Sequence, residues 1–276
     1  AQLIAEKANP KTDVWFGGTG DPHLQAAELG LTIEYKSPAL PQLFPWAQQQ
    51  AAQSGYKTVG IYSGPLGFGY NPELLAKKKM AVPRSWADLL KPEYKGEIQV
   101  ANPASSGTAY TMVATLVQLM GEDKAFDYMK ALHRNVNQYN RAGGAAAKAT
   151  GLAETTVGIT FLDDMLAVMA DGAPIKIVAP CEGTGYQVGS MSIIKGARNP
   201  ENAKLFYDWA LTPESQVKAG EAKFFHTQSN RNTPTPAGAP KVDVKLIDYD
   251  FAKYGAAAER KRLLSRWDNE VKNLPR

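Results

Sequence analysis

One cysteine, Cys181, in 276 residues excludes an internal disulfide and any metal cluster built on thiolates. It is expected as a small, partly buried filler. Only three histidines occur, His23, His133 and His226. They form no His-x-x-x-His zinc pair and lie near no nucleophile motif, so each is expected at the surface or as a satisfied core histidine. There is no Gly-x-Ser-x-Gly elbow, no Gly-Lys-Ser/Thr phosphate loop and no Gly-x-Gly-x-x-Gly after a first strand. A catalytic triad, a P-loop nucleotidase and a Rossmann dehydrogenase therefore have no support. No apolar run approaches the ~18 residues of a membrane span, and residues 1–10 lack the charged-then-apolar pattern of an export signal. Charge of one sign is scarce too: 31 Lys and Arg face 27 Asp and Glu, for a net +4. The basic runs Lys77-Lys78-Lys79 and Arg260-Lys261-Arg262 carry no interleaved aromatics, so they read as solvated helix faces rather than a nucleic-acid surface.

What is present is a chain with 44% apolar residues and 24 glycines, long enough for two compact units with their own cores. Residues 1–8 read as the tail of a helix broken by Asn9-Pro10, and Asp13-Val14-Trp15-Phe16 as a strand ending in Gly17-Gly18-Thr19-Gly20. Asp21 is expected to cap a helix closed by Gly30. Lys57 to Tyr62 alternates like a strand; the glycine-rich Ser63 to Tyr70 reads as a hinge or crossover, with Asn71-Pro72 opening a helix. From Ser85 strands and helices alternate: strands at Glu97-Ile98-Gln99-Val100, Thr156 to Phe161 and Ile175 to Val178, helices from Thr108, from Glu122 to His133, from Met165 and from Pro200. The tail from Phe224 to Pro240 reads as an extended surface segment, and Asp248 to Asn273 as one or two closing amphipathic helices. No internal repeat is found. This is α/β composition, two units with the second inserted in the first, and a cleft between domains is the natural ligand site of such a chain.

Four polar clusters follow strand ends, where open α/β sheets bind ligands: Gly17 to Asp21, Ser105 to Thr108, Asp163-Asp164 and Glu182 to Gln187. In Ala101-Asn102-Pro103-Ala104-Ser105-Ser106-Gly107-Thr108-Ala109-Tyr110 a strand turns into a helix, whose first N–H groups lack intrahelical partners. Hydroxyl residues and a glycine at that point suit either a serine cap or the close approach of an anion. Thr19 is a second candidate for an anion contact. Asp163 and Asp164 are adjacent carboxylates at a helix start; only one is needed as a cap, and the other is available to sugar hydroxyls, an ammonium group or a metal. Tyr139 and Arg141 read equally well as an aromatic wall and a cation for an anionic ligand or as solvated linker residues.

Taken together, Asp13 to Thr19, Leu66-Gly67-Phe68-Gly69, Asn102 to Tyr110, Phe161-Leu162-Asp163-Asp164, Glu182 to Tyr186 and Ser192 to Pro200 resemble the ferric-iron-type family of periplasmic solute-binding proteins of ABC importers. The resemblance runs from about residue 5 to about residue 235. It implies a two-lobed α/β fold (type II), mixed sheets flanked by helices, closure on a ligand, delivery to a permease in the inner membrane, and no chemistry on the ligand. It also implies that a signal and a first strand-helix-strand precede Ala1 in family members, so the first lobe is expected to be incomplete here. The expected division is 1–80 with 186–245 as the first lobe, 81–185 as the inserted lobe and 246–276 as helices packing across the lobes. Iron binders of the family use an adjacent tyrosine pair and an acid, and here those places hold Leu162-Asp163 and Gly17-Gly18. The closer likeness is to the branch that binds phosphorylated organic solutes, matched at Asp163-Asp164 and Gly185-Tyr186, with Gln187 where that branch has glutamate. The expected protein is a monomeric periplasmic binding protein without catalytic residues, cofactor or metal. It would hold a small anionic solute through Thr19, Ser105, Ser106, Gly107, Thr108, Asp163, Asp164 and Gln187. A ferric-binding protein and a hydrolase using Asp163 or Asp164 are the alternatives.

Overall fold

The computed structural model describes residues 2–236 and 242–275. In chain order the elements are α1 (Gln2–Ala5), β1 (Val14–Thr19), α2 (Gly20–Glu28), α3 (Pro45–Gln53), β2 (Val59–Tyr70), α4 (Pro72–Lys77), β3 (Ile98–Ala101), α5 (Gly107–Met120), α6 (Glu122–His133) and β4 (Val136–Asn140). They continue with α7 (Ala145–Gly151), β5 (Val157–Phe161), α8 (Leu162–Ala170), β6 (Lys176–Val178), β7 (Tyr186–Ile193), α9 (Pro200–Ala210), α10 (Pro213–Glu221), β8 (Thr227–Gln228), α11 (Phe251–Gly255) and α12 (Ala257–Trp267). This is the expected mixed α/β architecture of sheets and flanking helices. No helix among the described residues is long and apolar enough to cross a membrane.

The chain forms two compact units. Unit 1 comprises 1–63, 188–239 and 251–257, and unit 2 comprises 64–187, 240–250 and 258–276. The division falls inside two strands, between Ser63 and Gly64 of β2 and between Gln187 and Val188 of β7. In unit 1, β1 runs antiparallel to β7, and the short β8 pairs with the first half of β2 through Tyr62 and Ser63. Its core gathers Leu43, Ala47, Val59, Ile61, Met191, Ile193, Tyr207 and Leu211, drawn from two distant stretches of sequence. In unit 2, β3 is flanked by β4 and β5, all parallel, and the second half of β2 joins antiparallel to β5 and β6. Every residue of β3 and β5 is buried, which explains why these short strands read as continuous runs rather than alternating patterns. Helix α5 is buried from Ala109 through Val117, so its apolar residues surround it rather than forming a stripe.

Several expectations need correction. The glycine-rich stretch from Ser63 to Tyr70 is part of one continuous strand rather than a separate hinge, although it does carry the chain from unit 1 to unit 2, between Ser63 and Gly64, as a crossover was expected to. Its glycines serve close packing: a Cβ at Gly67 would stand 2.5 Å from Leu162 Cδ2, and one at Gly69 2.8 Å from Met165 Sδ. Residues 136–140 form β4 instead of a solvated linker; Tyr139 packs edge-on to Trp267 and its hydroxyl bonds His133. Its polar sequence, Val-Asn-Gln-Tyr-Asn, concealed a strand whose pairing with β3 is decided by backbone hydrogen bonds. Thr19, not Asp21, occupies the N-cap position of α2, and Asp21 lies in the first turn. Cys181 is exposed, not a partly buried filler. Helix α10 lies where no element was expected, and the tail from Phe224 contains β8, while its residues 237–240 fall outside the described residues.

Candidate functional site

The parallel arrangement of β3, β4 and β5 puts their carboxyl ends, Ala101, Asn140 and Phe161, at one edge of the unit 2 sheet. Three chain turns leave from that edge, and their residues meet. After β3, the Asn102 carbonyl accepts the N–H groups of Ser105 and Ser106, and its side-chain oxygen accepts that of Ala104. Ser106, nearly buried, takes the Ala109 N–H at 3.4 Å and is the cap of α5. The Ser105 hydroxyl is exposed and donates to the Arg141 carbonyl at 3.0 Å, tying the turn after β3 to the turn after β4. The N–H groups of Gly107 and Thr108 have no partner among the described residues, and they stand at the positive end of a 14-residue helix.

Around those two donors the remaining side chains are fixed by contact. A Cβ on Gly143 would stand 2.1 Å from Thr108 Oγ1, and one on Gly144 3.2 Å from Asp164 Oδ1. Glycine at both positions thus lets the turn after β4 lie directly on Thr108 and Asp164. The buried Thr160 hydroxyl donates to Asp164 Oδ2 at 2.6 Å and orients that carboxylate. Ser105, Gly107, Thr108 and Asp164 therefore share one polar mouth. Asp163 does not join them: it is 5% exposed and lies against Gly64, whose Cβ would stand 2.0 Å from Asp163 Oδ1 and 3.5 Å from Gln187 Nε2. The adjacent carboxylates, expected as a pair, split into Asp164 at the mouth and Asp163 with Gln187 beside β2. The Glu182 carboxylate accepts the N–H groups of Trp86 and Ala87 and caps that turn.

In unit 1, Thr19 ends β1 and makes no side-chain cap bond to α2. The strand bulges before it, since Phe16 pairs with Met191 and Thr19 with Gly189, and Gly17 and Gly18 have φ of 87° and 86°. Two residues that sequence reading left aside hold this bulge. His23 Nε2 lies 3.0 Å from the Gly17 carbonyl, and the Gly18 N–H donates to the Tyr62 hydroxyl at 3.1 Å. A carbonyl only accepts, so Nε2 carries the ring proton and Nδ1 accepts from Ser192 Oγ at 2.7 Å. His23 is fully buried, with the Trp15 ring stacked 3.6 Å away. Burial pushes its pKa down to about 4, so the imidazole is neutral at physiological pH. The i, i+4 spacing of Thr19 and His23 at a helix start is the one local signal that could have singled out this histidine. Tyr62 had none, because β2 meets the bulge only in the folded chain. Among the described residues there is no group of three or more His, Cys, Asp or Glu placed to hold a metal ion.

Over residues 9–253 the chain matches the family model described as bacterial extracellular solute-binding protein. It is 48% identical over 276 residues to an uncharacterized protein of Haemophilus influenzae, covering 99% of this chain and 80% of that one. Its fold superposes with a TM-score of 0.95 on the periplasmic binding protein AfuA of Actinobacillus pleuropneumoniae, solved with fructose 6-phosphate; the two are 49% identical, with 99% of this chain and 86% of that one covered. A Salmonella typhi protein named for periplasmic 2-aminoethylphosphonate binding is 27% identical over 234 residues, 80% of this chain and 63% of its own length. Two compact α/β units, loops gathered at strand carboxyl ends and a match over most of the sequence agree: the chain belongs to the family of bacterial extracellular solute-binding proteins.

Proposed function

We propose that this chain is the periplasmic binding component of an ABC importer and captures a phosphorylated organic anion of the hexose phosphate class. The observation that carries the reading is the pair of unpartnered N–H groups of Gly107 and Thr108 at the start of α5, flanked by the Ser105 and Thr108 hydroxyls. A phosphoryl group needs several donors converging on its oxygens, and a helix start with small residues supplies them without a desolvated lysine. Ser106 supports the site as its cap. Asp164, held by Thr160, accepts from hydroxyls on the carbon skeleton of the solute. Asp163, Gln187 and the Thr19 hydroxyl are the further solute contacts in this reading. Two of the similar proteins are described with phosphorus-bearing organic anions, fructose 6-phosphate and 2-aminoethylphosphonate, which is the chemistry these donors suit. The protein works as a monomer that hands its solute to a permease and performs no reaction on it.

Titration calorimetry with fructose 6-phosphate, inorganic phosphate and ferric citrate tests the reading. Tight binding of the sugar phosphate and weaker binding of phosphate alone is expected. Ferric binding with a visible charge-transfer band and no heat from either phosphate would sink it.

A further inference from the structure

The bulge before Thr19 carries an arrangement that the binding assignment by itself does not require. The carbonyl of Gly17 and the N–H of Gly18 belong to the same peptide group. One end of that group is held by His23 Nε2 from α2, at 3.0 Å, and the other by the Tyr62 hydroxyl from β2, at 3.1 Å. Both flanking residues have positive φ, a conformation that glycine adopts without strain, so the side chains and not local sterics determine how the peptide plane is turned. Neither holder has room to drift. His23 is fully buried between Trp15 and Ser192. The Tyr62 ring covers Gly189, the residue paired with Thr19, so closely that a Cβ there would stand 2.0 Å from ring carbon Cε2; the ring of His226 lies 4.2 Å away on centroids. The next residue after the clamped peptide is Thr19.

We infer that His23 and Tyr62 are positioning residues for solute binding: by gripping the two ends of the Gly17–Gly18 peptide they aim Thr19, without themselves needing to touch the solute. The inference rests on the proposed role of Thr19 as a solute contact. It explains why a bulge made of two glycines, the least ordered backbone available, is bonded from both sides by aromatic side chains of separate elements.

A double-mutant cycle distinguishes positioning from direct contact. Tyr62→Phe keeps the ring over Gly189 and removes the acceptor of the Gly18 N–H. Its affinity for fructose 6-phosphate is expected to fall about five- to tenfold, the scale of one hydrogen bond, with little change in melting temperature. Thr19→Val is expected to cost a similar factor, and the double variant no more than Thr19→Val alone. His23→Gln, which retains a donor at the Nε2 position, is expected to keep more affinity than His23→Leu; should His23→Leu fail to fold, the Tyr62 arm decides. Amide exchange at Gly18 is expected to speed up in Tyr62→Phe with or without ligand. Costs that add in the double variant, or an unchanged affinity in Tyr62→Phe, overturn the assignment. If the unmodified protein binds neither fructose 6-phosphate nor phosphate, the functional reading itself fails, and unchanged Gly18 exchange in Tyr62→Phe then overturns the clamp as well.

Discussion

Asp163 and Asp164 differ by one position along α8 and by everything that surrounds them. Successive helix residues point about 100° apart, so one carboxylate meets Thr160 and Gly144 and the other meets Gly64 and Gln187. Asp164, half-exposed, is the one we propose to accept from solute hydroxyls. Asp164→Asn keeps an oxygen for the Thr160 hydroxyl but loses the charge. Its affinity for fructose 6-phosphate is expected to fall roughly tenfold or more, the range for hydrogen bonds to a charged acceptor. Binding of inorganic phosphate, which has no carbon skeleton to read, should stay within about twofold on the same hydrogen-bond scale. Calorimetry on the variant with both probes checks the difference, and equal losses for the two would remove Asp164 from skeleton recognition. The residue types were legible in the sequence. Which of the two acids faced the mouth was not, because that depends on the rotation of α8 against β5 and β2.

Among the elements, the clearest device outside the site is the joint between α6 and α12 in unit 2. Glu122, in the first turn of α6, accepts from both Arg262 and Arg266, and Arg266 also reaches Asp123 and Glu270. Hydrogen bonds from Arg262 and then Arg266, opposed by burial, hold the Glu122 carboxyl down at about 2, against 4.5 when unfolded. A lowered folded pKa stabilises the joint fully above the unfolded value. That contribution is lost as pH falls from about 4.5 toward 2. The buried Trp267 on α12 reports on it: its fluorescence should shift on acidification through that window, and Glu122→Gln should remove most of the shift. A transition unchanged in Glu122→Gln would assign it elsewhere. The basic run Arg260-Lys261-Arg262 was expected to be a solvated face. Lys261 and Arg262 are exposed as expected, Arg262 while paired with Glu122 and Glu259, and the Arg260 guanidinium stacks 4.4 Å over the Tyr110 ring. Helices α6 and α5, distant in sequence, supply Glu122 and Tyr110, and periodicity cannot show those two partners.

For the whole molecule, binding to the folded state alone raises stability by mass action. With fructose 6-phosphate at about a hundred times its dissociation constant, the stabilisation is roughly 2.7 kcal/mol. For a chain of this size that corresponds to a rise in melting temperature of roughly 5–10 °C. A thermal scan with fructose 6-phosphate, compared with glucose at the same concentration, checks this; equal responses would mean that the phosphoryl group is not what is recognised. Residues 64–80 group with unit 2 because β2 continues without a break into pairings with β5 and β6 at Leu66 to Tyr70. The closing helices divide as well, residues 251–257 going with unit 1 and 258–276 with unit 2.

By itself the sequence determined the α/β class, most helix and strand positions, and the strand-to-helix turn at Ser105 to Thr108. Those follow from local rules: apolar spacing, capping residues, and hydroxyl and glycine residues at a helix start. It also determined the family, because scattered motifs that are weak singly are specific in combination. Tertiary structure decided what local rules do not reach. It turned the polar stretch after His133 into the strand β4, used the glycines of β2 for contact with Leu162 and Met165, and separated Asp163 from Asp164. It also brought His23 and Tyr62, 39 positions apart in the chain, to the two ends of a single peptide group. Each of those outcomes depends on a partner from another part of the chain, and a sequence lists residues without saying which of them will meet.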